Sequence, residues 1–295
     1  MYLFVILLIL VICPEICING ATKGLLLWFN TVLPTLFPFF LITKLILFKN
    51  LIPKKILPLY PLITGLIAGY PTGAISVSEL IKTNRLTSKI GQHLLIAGNN
   101  ASPGFLIGIA GAFSPHYSRY TIWFCVIAAS YIIMLFSFIP TLIKKDIPVN
   151  NKLHTDFMDK QPITHTNFLS LLEDTILNCA KLLVLIGGYI IIFSILAEYT
   201  GIIITNKAIQ GFFAGIFEIT CGSTILTQYA AGNELIKGIF LAFICGFGGL
   251  SALFQTGAAI RNTGLSLIKY IFHKIICATI SGALFAIIYL INNMQ

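Results

Sequence analysis

Charge is what this sequence has least of. Only 10% of its 295 residues are Asp, Glu, Lys or Arg, against about 25% in soluble domains, which excludes a water-soluble globular fold. Acids are the scarcer sign, 10 against 19 Lys and Arg. In a chain that is 57% hydrophobic, with mean hydropathy +0.92, the basic excess sets topology rather than binding nucleic acid. The motifs of enzyme chemistry are missing too. No GxSxG, HExxH or Walker A sequence occurs, and His93, His116, His154, His165 and His273 lie at run ends or in loops where no triad assembles. Seven cysteines contain no CxxC pair and sit almost wholly in apolar runs, so they read as buried thiols without a metal or disulfide framework. These absences predict a non-enzymatic membrane protein with no cofactor and no metal.

What is present is a series of apolar runs, at about 2–18, 32–48, 56–81, 90–113, 119–143, 179–198, 204–229, 238–260 and 267–291. Met1 to Cys17 has no Lys or Arg before its apolar core and no small-x-small site, so a retained helix is expected there rather than a signal peptide. Ile18 to Thr31 is semi-polar and is expected along the membrane interface. The one substantial polar loop is 144–167, where His154, His165, Asp156 and Asp159 lack metal-ligand spacing. Ser170-x-x-Glu173 then matches a capping box and predicts an interfacial amphipathic turn before the sixth run.

Four places interrupt these runs. Gly98-Asn99-Asn100-Ala101-Ser102-Pro103-Gly104 falls in the middle of an apolar stretch, and Ser102-Pro103 reads as the N-cap and first residue of a new half-helix. Gly246-Phe247-Gly248-Gly249-Leu250-Ser251 is the corresponding break in the second half, with Gln255 one turn beyond Ser251. Gly69-Tyr70-Pro71-Thr72-Gly73 and Phe217-Glu218-Ile219-Thr220-Cys221-Gly222-Ser223 read as tips of tight reversals. Unwound backbone at that depth is tolerated only inside protein or along a wet cavity. Glu218 is the one acid well inside an apolar run, and such a residue is a functional candidate by default. The polar centre these places would form offers hydroxyls, amides and one carboxylate, with no Lys or Arg expected in it. For Glu218, Asn99 and Asn100, solute binding and hydrogen bonding between helices are both open readings.

The breaks repeat. Gly98 and Gly246, Ile96 and Ile244, and Thr72 and Thr220 all stand 148 residues apart. If the runs at 56–81 and 204–229 crossed the membrane, Lys and Arg would divide about evenly between its two sides. As re-entrant hairpins they leave fifteen on the cytoplasmic side and only Lys23, Arg119, Lys207 and Lys237 outside, a strong positive-inside pattern. The predicted fold is an all-α polytopic membrane protein built as one domain over 1–295. Two inverted repeats, 32–143 and 179–291, each hold a re-entrant hairpin followed by a broken transmembrane helix. A cytoplasmic loop and interfacial helix over 144–178 joins them.

GYPTGA at 69–74, GNNASPGF at 98–105, FEITCG at 217–222 and GFGGLSALFQ at 246–255 closely resemble the YlbJ family of sporulation integral membrane proteins. That family is grouped with the nucleoside-recognition, or Gate, domain proteins, which include concentrative nucleoside transporters and the membrane core of ferrous iron transporters. The resemblance implies a multi-pass protein in the plasma membrane of an endospore-forming bacterium. It also implies a transporter-like core moving a small polar solute, nucleoside-like, or an ion. Those transporters carry more acids and amides in both repeats, whereas the first tip here has no acid. The residues expected at the solute are Tyr70, Thr72, Asn99, Asn100, Ser102, Glu218, Thr220, Ser251 and Gln255. The breaks that shape the site are Gly69, Pro71, Gly73, Gly98, Pro103, Gly104, Gly222, Gly246, Gly248 and Gly249. Expected partners are the lipid bilayer and a small solute or ion, with further copies of the chain or other sporulation membrane proteins left open. The alternative is a non-transporting structural protein of spore envelope assembly.

Overall fold

The computed structural model describes residues 13–53, 55–113, 120–143, 168–229 and 233–294. The polar loop at 144–167, the start of the expected N-terminal helix, Lys54, His116 and Arg119 lie outside these residues. Regular structure among the described residues is entirely helical, and five helical stretches are long and apolar enough to cross a membrane. The chain is a multi-pass membrane protein.

Helix α1 (Pro14–Leu27) passes through a π-helical turn at Trp28–Val32 directly into α2 (Leu33–Phe48). Pro34 has no N–H to donate to residue 30, and the register widens so that Leu33 donates to the Trp28 carbonyl instead. The segment at 18–31, expected along the interface, is part of one 35-residue helical stretch continuous with α2 rather than a separate element. Glycines lay it against α8 (Phe168–Ile203): a Cβ at Gly20 would stand 2.6 Å from the Ile195 Cα, and one at Gly24 2.8 Å from the Ile191 Cα. Lys23 closes that contact with an ion pair to Glu198 at 2.7 Å. Helix α8 also begins earlier than expected. No glycine or proline stands between Phe168 and Gly187, so Ser170 and Glu173 belong to the first turns of one long helix rather than to a separate interfacial turn.

Both predicted reversals form. After a 3₁₀ turn at Leu57–Leu59, α3 (Tyr60–Ala68) and α4 (Thr72–Lys82) fold back around Gly69-Tyr70-Pro71. Thr64 Oγ1 lies 2.8 Å from Ser76 Oγ; an unbroken helix would hold those residues about 18 Å apart. In the second half, α9 (Lys207–Phe217) and α10 (Ile219–Gln228) reverse at Glu218 alone. A Cβ on Gly222 would stand 2.3 Å from the Gly215 nitrogen, so only glycine lets these arms close. Each arm is about 15 Å long, half the thickness of a bilayer's hydrocarbon core.

A broken helix follows each hairpin: α5 (Ser88–Gly98) with α6 (Pro103–Phe113), and α11 (Glu234–Phe247) with α12 (Gly249–Ala259). Ser102 caps α6 as expected, its Oγ accepting from the Phe105 N–H at 3.3 Å. The second break is narrower than its glycines suggest. Gly246 stays helical and packs on Ala278, and the chain turns only at Gly248 (φ +91°) and Gly249 (φ +79°). Helices α7 (Thr121–Ile143) and α13 (Leu267–Asn293) close the two halves. The halves exchange contacts in matched pairs: α6 packs on α10 and α12 on α4, while α7 packs on α11 and α13 on α5.

Candidate functional site

The four interruptions converge. Tyr70 of the first tip donates its N–H to the Asn100 carbonyl of the first break at 2.7 Å, and its hydroxyl reaches the Gly248 carbonyl of the second break at 3.4 Å. A Cβ on Gly69, which sits at φ +78°, would stand 2.5 Å from the Ser102 nitrogen. A Cβ on Gly249 would stand 3.1 Å from the Gly215 carbonyl oxygen, beside the second tip. Gly73 does the same for α5, where a Cβ would fall 1.6 Å from the Gly98 carbonyl oxygen. These contacts leave a pocket of about 140 Å³, walled by both tips, the first break, α12, α8 and the π-helical turn.

Five of the nine predicted solute residues line it: Tyr70, Ser102, Glu218, Thr220 and Gln255. Glu218 is buried, and its Oε2 accepts from the Cys221 N–H at 2.9 Å, so it caps α10 while facing the pocket. It belongs to neither ion pair found among the described residues, Lys23–Glu198 and Lys44–Glu79. Gln255 donates its Nε2 to Ser251 Oγ at 3.0 Å, which puts Ser251 behind the wall rather than in it. Thr72 also stands back, its hydroxyl turned to the Thr64 and Gly69 carbonyls, where it locks the first tip.

Asn99 and Asn100 face away from the pocket. Asn99 Nδ2 donates to Thr256 Oγ1 and to the Tyr270 hydroxyl, both at 2.8 Å, and that hydroxyl donates to the Asn99 carbonyl at 3.0 Å. Asn100 Nδ2 donates to the Ala97 carbonyl at 2.8 Å and to Ser130 Oγ at 3.0 Å, while Asn100 Oδ1 accepts from Lys274 Nζ at 2.9 Å. The polar centre therefore does contain a lysine, only 1% exposed, contrary to what the sequence suggests. Lys274 sits two turns into α13, close enough to the start of an apolar run to read as interfacial. Its sequence signal is the buried face Tyr270, Lys274, Cys277, Ala278 and Ser281, spaced as one side of a helix.

Sequence reasoning also missed Thr31 and Thr35, which line the pocket from the π-helical turn and α2. Two threonines four residues apart on either side of Pro34, at the start of an apolar run, were the available signal.

No family model matches the chain, and no solved structure matches it. Among curated proteins it is similar to the sporulation integral membrane protein YlbJ of Bacillus subtilis (strain 168). The two are 22% identical over 304 residues, covering 85% of this chain and 72% of that protein. The resemblance to the YlbJ family carried by the residues at 69–74, 98–105, 217–222 and 246–255 thus extends across most of the chain.

Proposed function

We propose that this is a sporulation membrane protein with a transporter-like core, in which the Glu218 pocket binds a small polar solute, nucleoside-like, or an ion, on its way across the bilayer. The observation that carries this reading is convergence: two hairpin tips, one half-helix start and a second broken helix wall a single pocket around a buried carboxylate. Half-helices meeting at mid-membrane are how secondary transporters hold a solute. No enzymatic role and no cofactor enter this reading.

The two halves are read as inverted repeats. Helices α7 and α13 run antiparallel, since Phe285 clusters with Ile122 and Cys277 with Met134. Where they cross, Cys277 Sγ lies 3.9 Å from the Ala129 carbonyl oxygen, a pair 148 residues apart. Equivalent positions that touch support a two-fold axis lying across the helices, hence in the membrane plane.

A second reading, a structural protein of spore envelope assembly, has its own observation. The Asn99–Asn100–Lys274 cluster is densely hydrogen-bonded and joins the halves without lining the pocket. Proteoliposomes separate the two. Uptake of tritiated uridine and adenosine, and of radioactive monovalent and divalent cations, is compared between wild type, Glu218→Gln and empty vesicles. Transport predicts uptake of at least one probe by wild type and its loss in a Glu218→Gln protein that remains monodisperse. Wild type that moves none of them favours the structural reading.

A further inference from the structure

A second hollow of about 280 Å³ adjoins the pocket, running between α6 and α10, and the two share Phe105 and Thr220. Along it α10 presents the hydroxyls of Thr220, Ser223, Thr224 and Thr227, a row at helical spacing that leads from Glu218 to the open end of the hairpin. Opposite them α6 presents Gly108 and Ala112. A Cβ added at Gly104 or Gly108 would meet nothing within 4 Å. Lipid would offer no donor to the lone pairs of these hydroxyls.

The repeat supplies an internal control. At the 148-residue offset, Ser223 corresponds to Ile75, Gly108 to Thr256, Ala112 to Ile260 and Phe105 to Leu253. Ile75, Leu253 and Ile260 belong to one buried apolar cluster, and Thr256 is wholly buried on Asn99. At three of these four positions the counterpart passage between α4 and α12 carries the larger side chain, Leu253 being smaller than Phe105, and all four are buried.

The lining is also one-sided in its hydrogen bonding. Ser223 and Thr224 donate their hydroxyl hydrogens to the Thr220 carbonyl, and Thr227 donates to that of Ser223. Thr35 donates to the Thr31 carbonyl, the Tyr70 hydroxyl to Gly248, and the Gln255 amide to Ser251. What these groups leave facing the void is mainly lone pairs, with the Glu218 carboxylate at the inner end and the second Gln255 N–H and the Ser102 hydroxyl as remaining donors. Among the described residues, no lysine, arginine or histidine lines either hollow.

We propose that the α6–α10 groove is the aqueous entry to the Glu218 pocket, that it admits a small hydrogen-bond-donating cation in preference to an anion, and that its symmetry counterpart is sealed. This rests on the reading of the pocket as a solute site. Single cysteines at Thr220, Thr224, Thr227 and Ile75, with Thr205 as an exposed marker at the open end of the hairpin, test it. The background carries serine at Cys13, Cys17 and Cys221 and keeps the four buried cysteines. Cells and inverted vesicles are treated with a cationic (trimethylammonium-ethyl) or an anionic (sulfonatoethyl) methanethiosulfonate, or with membrane-permeant N-ethylmaleimide, and adducts are read by mass.

Thr220→Cys, Thr224→Cys and Thr227→Cys are expected to react from the same side as Thr205→Cys, and Ile75→Cys from neither. At Thr220→Cys the cation-to-anion rate ratio should exceed that at Thr205→Cys by about tenfold, as in a cleft of one charge sign, and adding Glu218→Gln should cut it. Groove cysteines that react only with the permeant maleimide would put them in lipid and overturn the proposal. Equal cation and anion rates, or fast reaction of Ile75→Cys, would do so as well. Labelling as expected without uptake in proteoliposomes upholds the entry and removes the transport reading alone.

Discussion

Two polar clusters lie next to each other at the helix breaks, and they are built in opposite ways. In one, Asn99, Asn100, Ser130, Thr256, Tyr270 and Lys274 bond to one another and to nearby backbone carbonyls, so that of their side-chain polar atoms only Asn99 Oδ1 has no partner, with Lys274 Nζ making one bond, to Asn100. In the other, Glu218, Gln255, Thr220 and Ser102 keep unspent atoms and face a void. A saturated buried network fixes one arrangement of helices, whereas an unsaturated one needs an occupant. The same residue types thus divide into a bolt and a socket, and the division follows from partner geometry rather than composition.

That contrast can be broken by mutation, starting where the effect is largest. Asn100→Ala removes the acceptor of a buried lysine and should destabilise by about 3 kcal/mol, read as an earlier loss of the monodisperse peak on heating in detergent. Combining Asn100→Leu with Lys274→Met removes both partners and should restore most of that loss. A double variant no more stable than Asn100→Ala would show that the pair is not a bolt. Next comes Gly222→Val, which drives a side chain into the Gly215 backbone and should cost about 1–3 kcal/mol in the same assay. Tyr270→Phe deletes one shared hydroxyl on Asn99, for about 1 kcal/mol. Smallest for stability is Glu218→Gln, whose amide oxygen still accepts from Cys221. It should unfold within about 1 kcal/mol of wild type yet lose solute uptake. If Glu218→Gln instead melts as early as Asn100→Ala, the carboxylate is part of the bolt.

Much of this arrangement is legible in the sequence because breaks in apolar runs have few physical explanations. Gly-Tyr-Pro at 69–71, Ser102-Pro103 and the paired glycines at 248 and 249 each carry residues that end or start helices, and all do so in the structure. What stayed hidden depends on direction and depth. Which way Asn99 and Asn100 turn is set by backbone angles at a single junction (φ −131°, ψ 76° at Asn99), which composition does not encode. Lys274 lies where a run begins, so hydropathy assigns it to an interface, while its depth comes from packing beside the first break. The semi-polar stretch at 18–31 is helical because Gly20 and Gly24 give it a close partner in α8, a tertiary effect that outweighs local polarity.

The crossing of α7 and α13 has a consequence of its own. On a two-fold axis a residue's neighbour is its own counterpart, as at the centre of an isologous dimer interface. Under the proposed inverted repeat Ala129 and Cys277 are that pair, and both are small. Were the two halves separate copies of one half-length chain, a single substitution at this position would appear on both faces of the contact at once. Self-compatibility, rather than fit to any other residue, is then the rule for what the position tolerates.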